Sequence, residues 1–143
     1  MKKYKILSLI LLLISSTAFS NKTDYGSIKV IKINSVYDGD TFRADLESTH
    51  PILSKNIPIR VAGIDTPEIR GKCDREKALA KLARDFTRSF LISSKQIELR
   101  NIKRGKYFRI VADVYGDNIS LTESLIQARL GYRYEGKTKH SFC

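Results

Sequence analysis

The chain has 143 residues, with 26 Lys and Arg against 15 Asp and Glu, for a formal net charge of +11. One domain fits this length, and a composition 42% hydrophobic and 29% charged is that of a folding globule, which excludes disordered, collagen-like and low-complexity classes. His50, His140, Cys73 and Cys143 are the whole supply of His and Cys, and no pair has finger-like spacing, so a structural zinc site is not expected.

Residues 1–20 read as a secretory signal. Lys2, Lys3 and Lys5 precede an apolar run, Ile6 to Ile14, and Ala18-Phe19-Ser20 supplies small residues for cleavage. An uncleaved anchor is the alternative, but a span needs about 20 apolar residues and Ser15-Ser16-Thr17 arrives too early. Cleavage after Ser20 removes three lysines and no acid, taking the charge from +11 to +8. Periplasmic or extracellular export follows, and an even pair of cysteines in an oxidising compartment favours a Cys73–Cys143 bridge. It would close a loop of about 70 residues, worth about 2 to 4 kcal/mol. Two unpaired thiols are the alternative.

After a polar lead, Asn21 to Ser27, the β-branched run Ile28 to Val36 changes phase near residues 30 and 31, so a bulged strand is predicted. Asp38-Gly39 predicts a tight turn, and Phe42, Ala44 and Leu46 alternate with Arg43 and Asp45 as a second strand. Glu47 to Asn56 reads as a loop. Ile57, Ile59 and Val61 make a third strand, ended by Gly63 and by Pro67, which restricts Thr66. Leu79, Leu82, Ala83, Phe86 and Phe90 form the stripe of an amphipathic helix with Asp74 as N-cap. Ile97 and Leu99 mark a fourth strand, Phe108 to Tyr115 a fifth, and Gly116-Asp117-Asn118 a turn. Ser120 and Glu123 form a capping box that opens a second helix, closed by Gly131. The order predicts an α+β, mainly β fold over 21–143: a single domain built as a five-stranded barrel with two packed helices.

Acids gather at the turns: Asp38 and Asp40 after the first strand, Asp65 and Glu68 after the third. Carboxylates brought together repel unless a cation joins them, and all-oxygen ligands select Ca²⁺, Mg²⁺ or Mn²⁺. Asp-Gly-Asp alone is more often a hairpin turn with a solvated acid. In Asp65-Thr66-Pro67-Glu68, Pro67 pushes Thr66 toward extended geometry and leaves its carbonyl free to face an ion, although a helix start with Pro at its first position is the bland reading. Arg60 and Arg109 sit among apolar strand residues and project from the core side. Each alone is more often a surface ion-pair partner, but a guanidinium fork also matches phosphate oxygens.

Tyr37-Asp38-Gly39-Asp40-Thr41, then Ile59-Arg60-Val61-Ala62-Gly63-Ile64-Asp65-Thr66-Pro67-Glu68, then Lys106-Tyr107-Phe108-Arg109, closely resembles the staphylococcal nuclease (thermonuclease) family. The resemblance runs from about Ile28 to Tyr134, and Cys73 with a basic stretch ending at Cys143 is similar to its short exported members. It implies an OB-fold and hydrolysis of DNA and RNA with one Ca²⁺ ion, leaving 3′-phosphate ends. Asp40 and Asp65 would ligate the ion through carboxylates and Thr66 through its carbonyl, with Asp38 in support. Glu68 would position the attacking water, and Arg60 and Arg109 would hold the scissile phosphate. Lys106 and Tyr107 resemble the family's nucleotide-binding pair. The pattern departs at Lys106-Tyr107-Phe108-Arg109-Ile110, where the family has Lys-Tyr-Gly-Arg-Gly. A monomer acting on DNA and RNA, with no stable membrane insertion after cleavage, is expected. The competing readings are a non-cutting nucleic-acid-binding barrel, a cationic membrane-active protein, and a metal-free ribonuclease using His50 and His140.

Overall fold

Alternating apolar side chains build most of the sheet. In the computed structural model, which describes residues 24–143, the elements run β1 (Ile28–Val36), β2 (Thr41–Leu46), β3 (Ile57–Val61), β4 (Ile64–Asp65), α1 (Asp74–Ser93), β5 (Ile97–Arg104), β6 (Ile110–Gly116), β7 (Ile119–Ser120), α2 (Leu121–Gln127) and β8 (Tyr132–Arg133). The predicted signal segment and the proposed domain start at residue 21 lie outside the described residues. Within them, no helix is long and apolar enough to cross a membrane.

Five strands close on themselves. The antiparallel meander β3-β2-β1 continues through β5 to β6, and β6 returns to β3 in parallel through Ile59↔Ile110, Arg60↔Val111 and Val61↔Ala112. The result is the expected five-stranded OB-fold barrel, mainly β, with two helices packed on it. The bulge expected near residue 30 is present, with a second register shift between Ile33 and Ser35. Both bend β1 enough to coil around a closed barrel. Phe42, Ala44, Leu46, Ile59, Val61, Leu99, Ala112 and Val114 fill the interior, joined by Leu91 of α1 and by Leu121 and Leu125 of α2.

Local details depart from the sequence reading. The buried face of α1 is Ala80, Ala83, Thr87 and Leu91, whereas Leu82 is 59% exposed. Small side chains there let the helix approach the β1–β2 loop, while Phe86 and Phe90 of the predicted stripe pack partly buried against the core. The N-cap is Cys73 rather than Asp74: its extended backbone turns Sγ toward the Glu76 N–H at 3.4 Å, and Asp74 becomes the first helical residue. Helix α2 ends at Gln127, before Gly131. Arg129 takes the left-handed conformation (φ 58°), and N–H groups of Leu130 and Arg129 donate to the carbonyls of Leu125 and Ile126, which closes the helix as a Schellman turn. Gly131 instead answers to space, since a Cβ there would lie 2.8 Å from Ile64 Cδ1.

Asp45 organises the loop between β2 and β3. Its carboxylate accepts from the Asn56 N–H and Asn34 Nδ2, both at 2.8 Å, and from Lys55 Nζ at 3.3 Å. The Asn56 N–H, then Asn34, hold its pKa down to about 2. An acid lowered in this way stabilises the fold above its ordinary range, and that contribution vanishes as pH falls from about 4 to about 2. Over that window the thermal midpoint is expected to fall less steeply in Asp45→Asn than in the parent. Parallel midpoint curves by circular dichroism would contradict it.

Candidate active site

The loop between β1 and β2 is held by close packing. A Cβ on Gly39 would meet Ala83 Cβ and Thr66 Cγ2 at 2.8 Å each, and buried Thr87 Oγ1 donates to the Gly39 carbonyl at 2.7 Å. Gly39 is absent from the glycines with positive φ. The Asp-Gly signal therefore reports a helix contact rather than the left-handed turn it suggests. On the far side of the loop, Val61 N–H donates to the Asp40 carbonyl at 2.8 Å, which ties Asp40 to the end of β3.

Register does the rest. Thr41 pairs with Arg60 across β2 and β3, so the Arg60 side chain leaves the sheet beside Asp40. Gly63, at φ 74°, turns the chain into β4, where Asp65 pairs with Tyr132 of β8. Arg60 Nη1 donates to Asp40 Oδ1 at 2.9 Å, and Nη2 lies 3.7 Å from Asp65 Oδ1. Thr41 Oγ1 also donates to Asp40 Oδ1, at 2.9 Å. The carboxylates from the β1–β2 loop and from β4 thus converge on one guanidinium.

Both acids are almost fully buried, Asp40 at 2% and Asp65 at 4% exposure. Burial raises the Asp40 pKa against the opposing pull of Arg60. Asp38, whose Oδ1 accepts from the Asp40 N–H at 3.2 Å, is pushed up to about 7, first by burial and then by the charge of Asp40. Buried carboxylates held above their ordinary range would regain charge beside a divalent cation. Among the described residues, the buried side-chain polar atoms with no partner are Thr66 Oγ1 and Arg109 Nε. Such orphans are completed by ordered water, an ion or a ligand. Asp40, Asp65 and the Thr66 carbonyl are all hard oxygen donors, a set that fits Ca²⁺. Among the described residues, the one group of three His, Cys, Asp or Glu ligand atoms within 4.8 Å of one another is Cys73, Glu76 and Cys143, and its sulfurs form the Cys73–Cys143 disulfide. A cation at Asp40 and Asp65 would thus draw its remaining ligands from carbonyl, hydroxyl and water.

The disulfide, with its Cα atoms 5.9 Å apart, returns the basic tail to this site. Lys139 Nζ lies 2.9 Å from Asp65 Oδ1 and 3.2 Å from Glu68 Oε1, and hydrogen bonding to Asp65 is the main cause that raises its pKa. Glu68 is otherwise exposed. The tail borders a cleft of about 350 Å³ that also includes Asp65, Thr66 and Glu68. Beside it, Tyr132 stacks on His140 and Phe142, with ring centroids 4.7 and 5.2 Å away. Lys139 escaped the sequence reading. The signal was present in the expected bridge: Glu68 precedes Cys73 by five residues and Lys139 precedes Cys143 by four.

Arg109 stands apart from this cluster. It lies before β6 rather than inside a strand, because Tyr107 and Phe108 form a turn that delays the strand to Ile110. With Tyr37, Thr41, Lys106 and Tyr107 it lines a cavity of about 330 Å³. Thr41, bonded to Asp40, is the wall shared by the two regions. Asp40, Arg60, Asp65 and Glu68 are therefore brought together directly or through Lys139, while Arg109, Lys106 and Tyr107 adjoin them across Thr41. His50 caps a short 3₁₀ turn, Pro51–Leu53, and His140 sits on Tyr132; no hydrogen bond or ring contact joins the two among the described residues.

Compared with known families, residues 58–141, over half of the chain, match the one described as Staphylococcal nuclease homologue. No curated protein matches the chain.

Proposed function

Because the chain belongs to the staphylococcal nuclease homologue family, we propose that it is an exported Ca²⁺-dependent nuclease that hydrolyses phosphodiester bonds in DNA and RNA. The convergence of Asp40 and Asp65 on Arg60 carries this reading, because it gathers two anionic oxygens and a phosphate-matching guanidinium at one place. A formal charge of +8 once residues 1–20 are removed suits a polyanionic substrate and makes binding fall with salt.

In this mechanism the Asp40 and Asp65 carboxylates and the Thr66 carbonyl would hold the ion, and Asp38 supports Asp40 through its N–H. When bound, Ca²⁺ would supply Lewis-acid polarisation of the phosphoryl oxygen. Glu68 aims a water at phosphorus and takes its proton as the new P–O bond forms. The bond from phosphorus to the 5′ oxygen breaks, and the departing oxygen takes a proton from solvent water, leaving a 3′-phosphate and a 5′-hydroxyl. Arg60 and Arg109 meet the charge that grows on the phosphoryl oxygens in the transition state, where fixed donors act most strongly. Lys106 and Tyr107 hold a neighbouring phosphate and base. All these groups come from one chain, so a monomer suffices. The disulfide, with the apolar run and cleavage signal before residue 21, supports export to an oxidising compartment.

Purified protein incubated with plasmid DNA and with RNA is expected to cut both in Ca²⁺ and neither in chelator. Glu68→Gln is expected to lower the rate by about 10²- to 10³-fold. Cutting that persists in chelator would exclude the metal mechanism, and tight binding without cutting in Ca²⁺ would favour a binding barrel.

A further inference from the structure

The turn between β5 and β6 carries an unusual conformation. Tyr107 (φ 56°) and Phe108 (φ 60°) are both left-handed, in a turn closed by the Arg109 N–H donating to the Lys106 carbonyl at 3.1 Å. Two successive left-handed residues are ordinarily Asn and Gly, because a Cβ in that region crowds the following carbonyl. The strain brings no burial in return: Tyr107 is 92% and Phe108 81% exposed, the most exposed large hydrophobic side chains among the described residues. Strained positions that add nothing to packing point to a binding role.

The two rings serve different grooves. Tyr107 lines the cavity that holds Tyr37 and Thr41. Phe108 lines a second groove of about 500 Å³, with Tyr25, Ile52 and Leu53 on its walls and Lys103 and Arg104 beside them. Arg109 and Pro58 belong to both. Among the described residues, no acid lines the second groove. An apolar wall, an exposed ring and three cations without an anion match an unpaired base on its phosphate strand.

We propose that Phe108 is the stacking platform of a second base subsite, placed across Arg109 from Tyr107. This rests on the nucleic-acid reading above and sharpens it: a strand crossing Arg109 would lay one base against each ring. A base can reach Phe108 only when unpaired, so single strands and open regions are bound in preference to continuous duplex.

The test is binding of dye-labelled oligothymidylates, in chelator, by fluorescence anisotropy. The parent is expected to bind single strands more tightly than duplex. Phe108→Gly, which suits the left-handed backbone, is expected to raise the thermal midpoint while weakening single-strand binding about tenfold. Phe108→Trp is expected to retain binding. Unchanged affinity in Phe108→Gly, with normal parental binding, overturns the subsite alone; a parent that binds no oligonucleotide overturns the nucleic-acid reading with it. Intact oligonucleotide binding with lost binding to phosphatidylglycerol vesicles overturns it in favour of a membrane surface.

Discussion

Arg60→Ala is expected to lower kcat for phosphodiester cleavage by about 10³-fold, the scale seen when a fixed cation facing transition-state charge is removed. The side chain is 22% exposed and bonds a 3% exposed carboxylate, so it acts in a partly water-excluded setting where its field is little screened. Removal also leaves Asp40 with Thr41 Oγ1 as its remaining side-chain donor, and a buried carboxylate stripped of its cation destabilises the fold by about 3 kcal/mol. The two effects separate experimentally. Arg60→Lys keeps a charge near Asp40 and most of the stability, but loses the fork that spans two oxygens, so its kcat stays low while its thermal midpoint recovers. A lysine variant cutting at the parental rate would show that Arg60 serves only as a structural partner of Asp40.

The second large effect concerns the tail. Replacing both cysteines by serine keeps a capping side chain at position 73 and opens a covalent loop with a separation of 70 residues. Loop-closure entropy gives a loss of about 4 kcal/mol, enough to lower the thermal midpoint by more than 10 °C. The same change frees Lys139 from Asp65 and Glu68. An ammonium resting on a carboxylate competes with any ion seeking that oxygen, so the double serine variant and Lys139→Met are both expected to bind Ca²⁺ about fivefold more tightly by calorimetry, a pair strength of about 1 kcal/mol at a half-exposed position. Lys139→Met should do so without the stability loss. If neither variant changes Ca²⁺ affinity while Lys139→Met loses cleavage, Lys139 belongs to substrate binding instead.

The barrel and the Asp40, Arg60 and Asp65 cluster were legible because they follow from period-two alternation and short connections. Arg60 must leave the core face when Ile59 and Val61 fill it, and Gly63 and Pro67 fix where β3 gives way to Asp65. Helix α1 was legible in position, and in rotation for Ala83, Phe86 and Phe90 but not for Leu82. Hydrophobicity favours Leu82 on the buried face, whereas the approach of Gly39 to Ala83 at the loop demands small side chains there. The Phe108 turn was hidden for a related reason, since an apolar residue beside a β-branched run reads as strand until the left-handed backbone is known. Lys139 is set by tertiary closure, and no local pattern in the tail announces it.

The parallel seam between β3 and β6 joins Ile59 to Ile110, 51 positions apart, with Arg60 and Arg109 on either flank. Contacts so distant along the chain form late, after their loop-closure entropy has been met by other structure. Partly folded forms in which the meander has assembled but the seam is open would hold Asp40 near Arg60 with no opposing Arg109. For the nuclease proposed above, competence would then arrive only once this seam closes, so that chains with the seam still open would spare the nucleic acids of the cell that makes them.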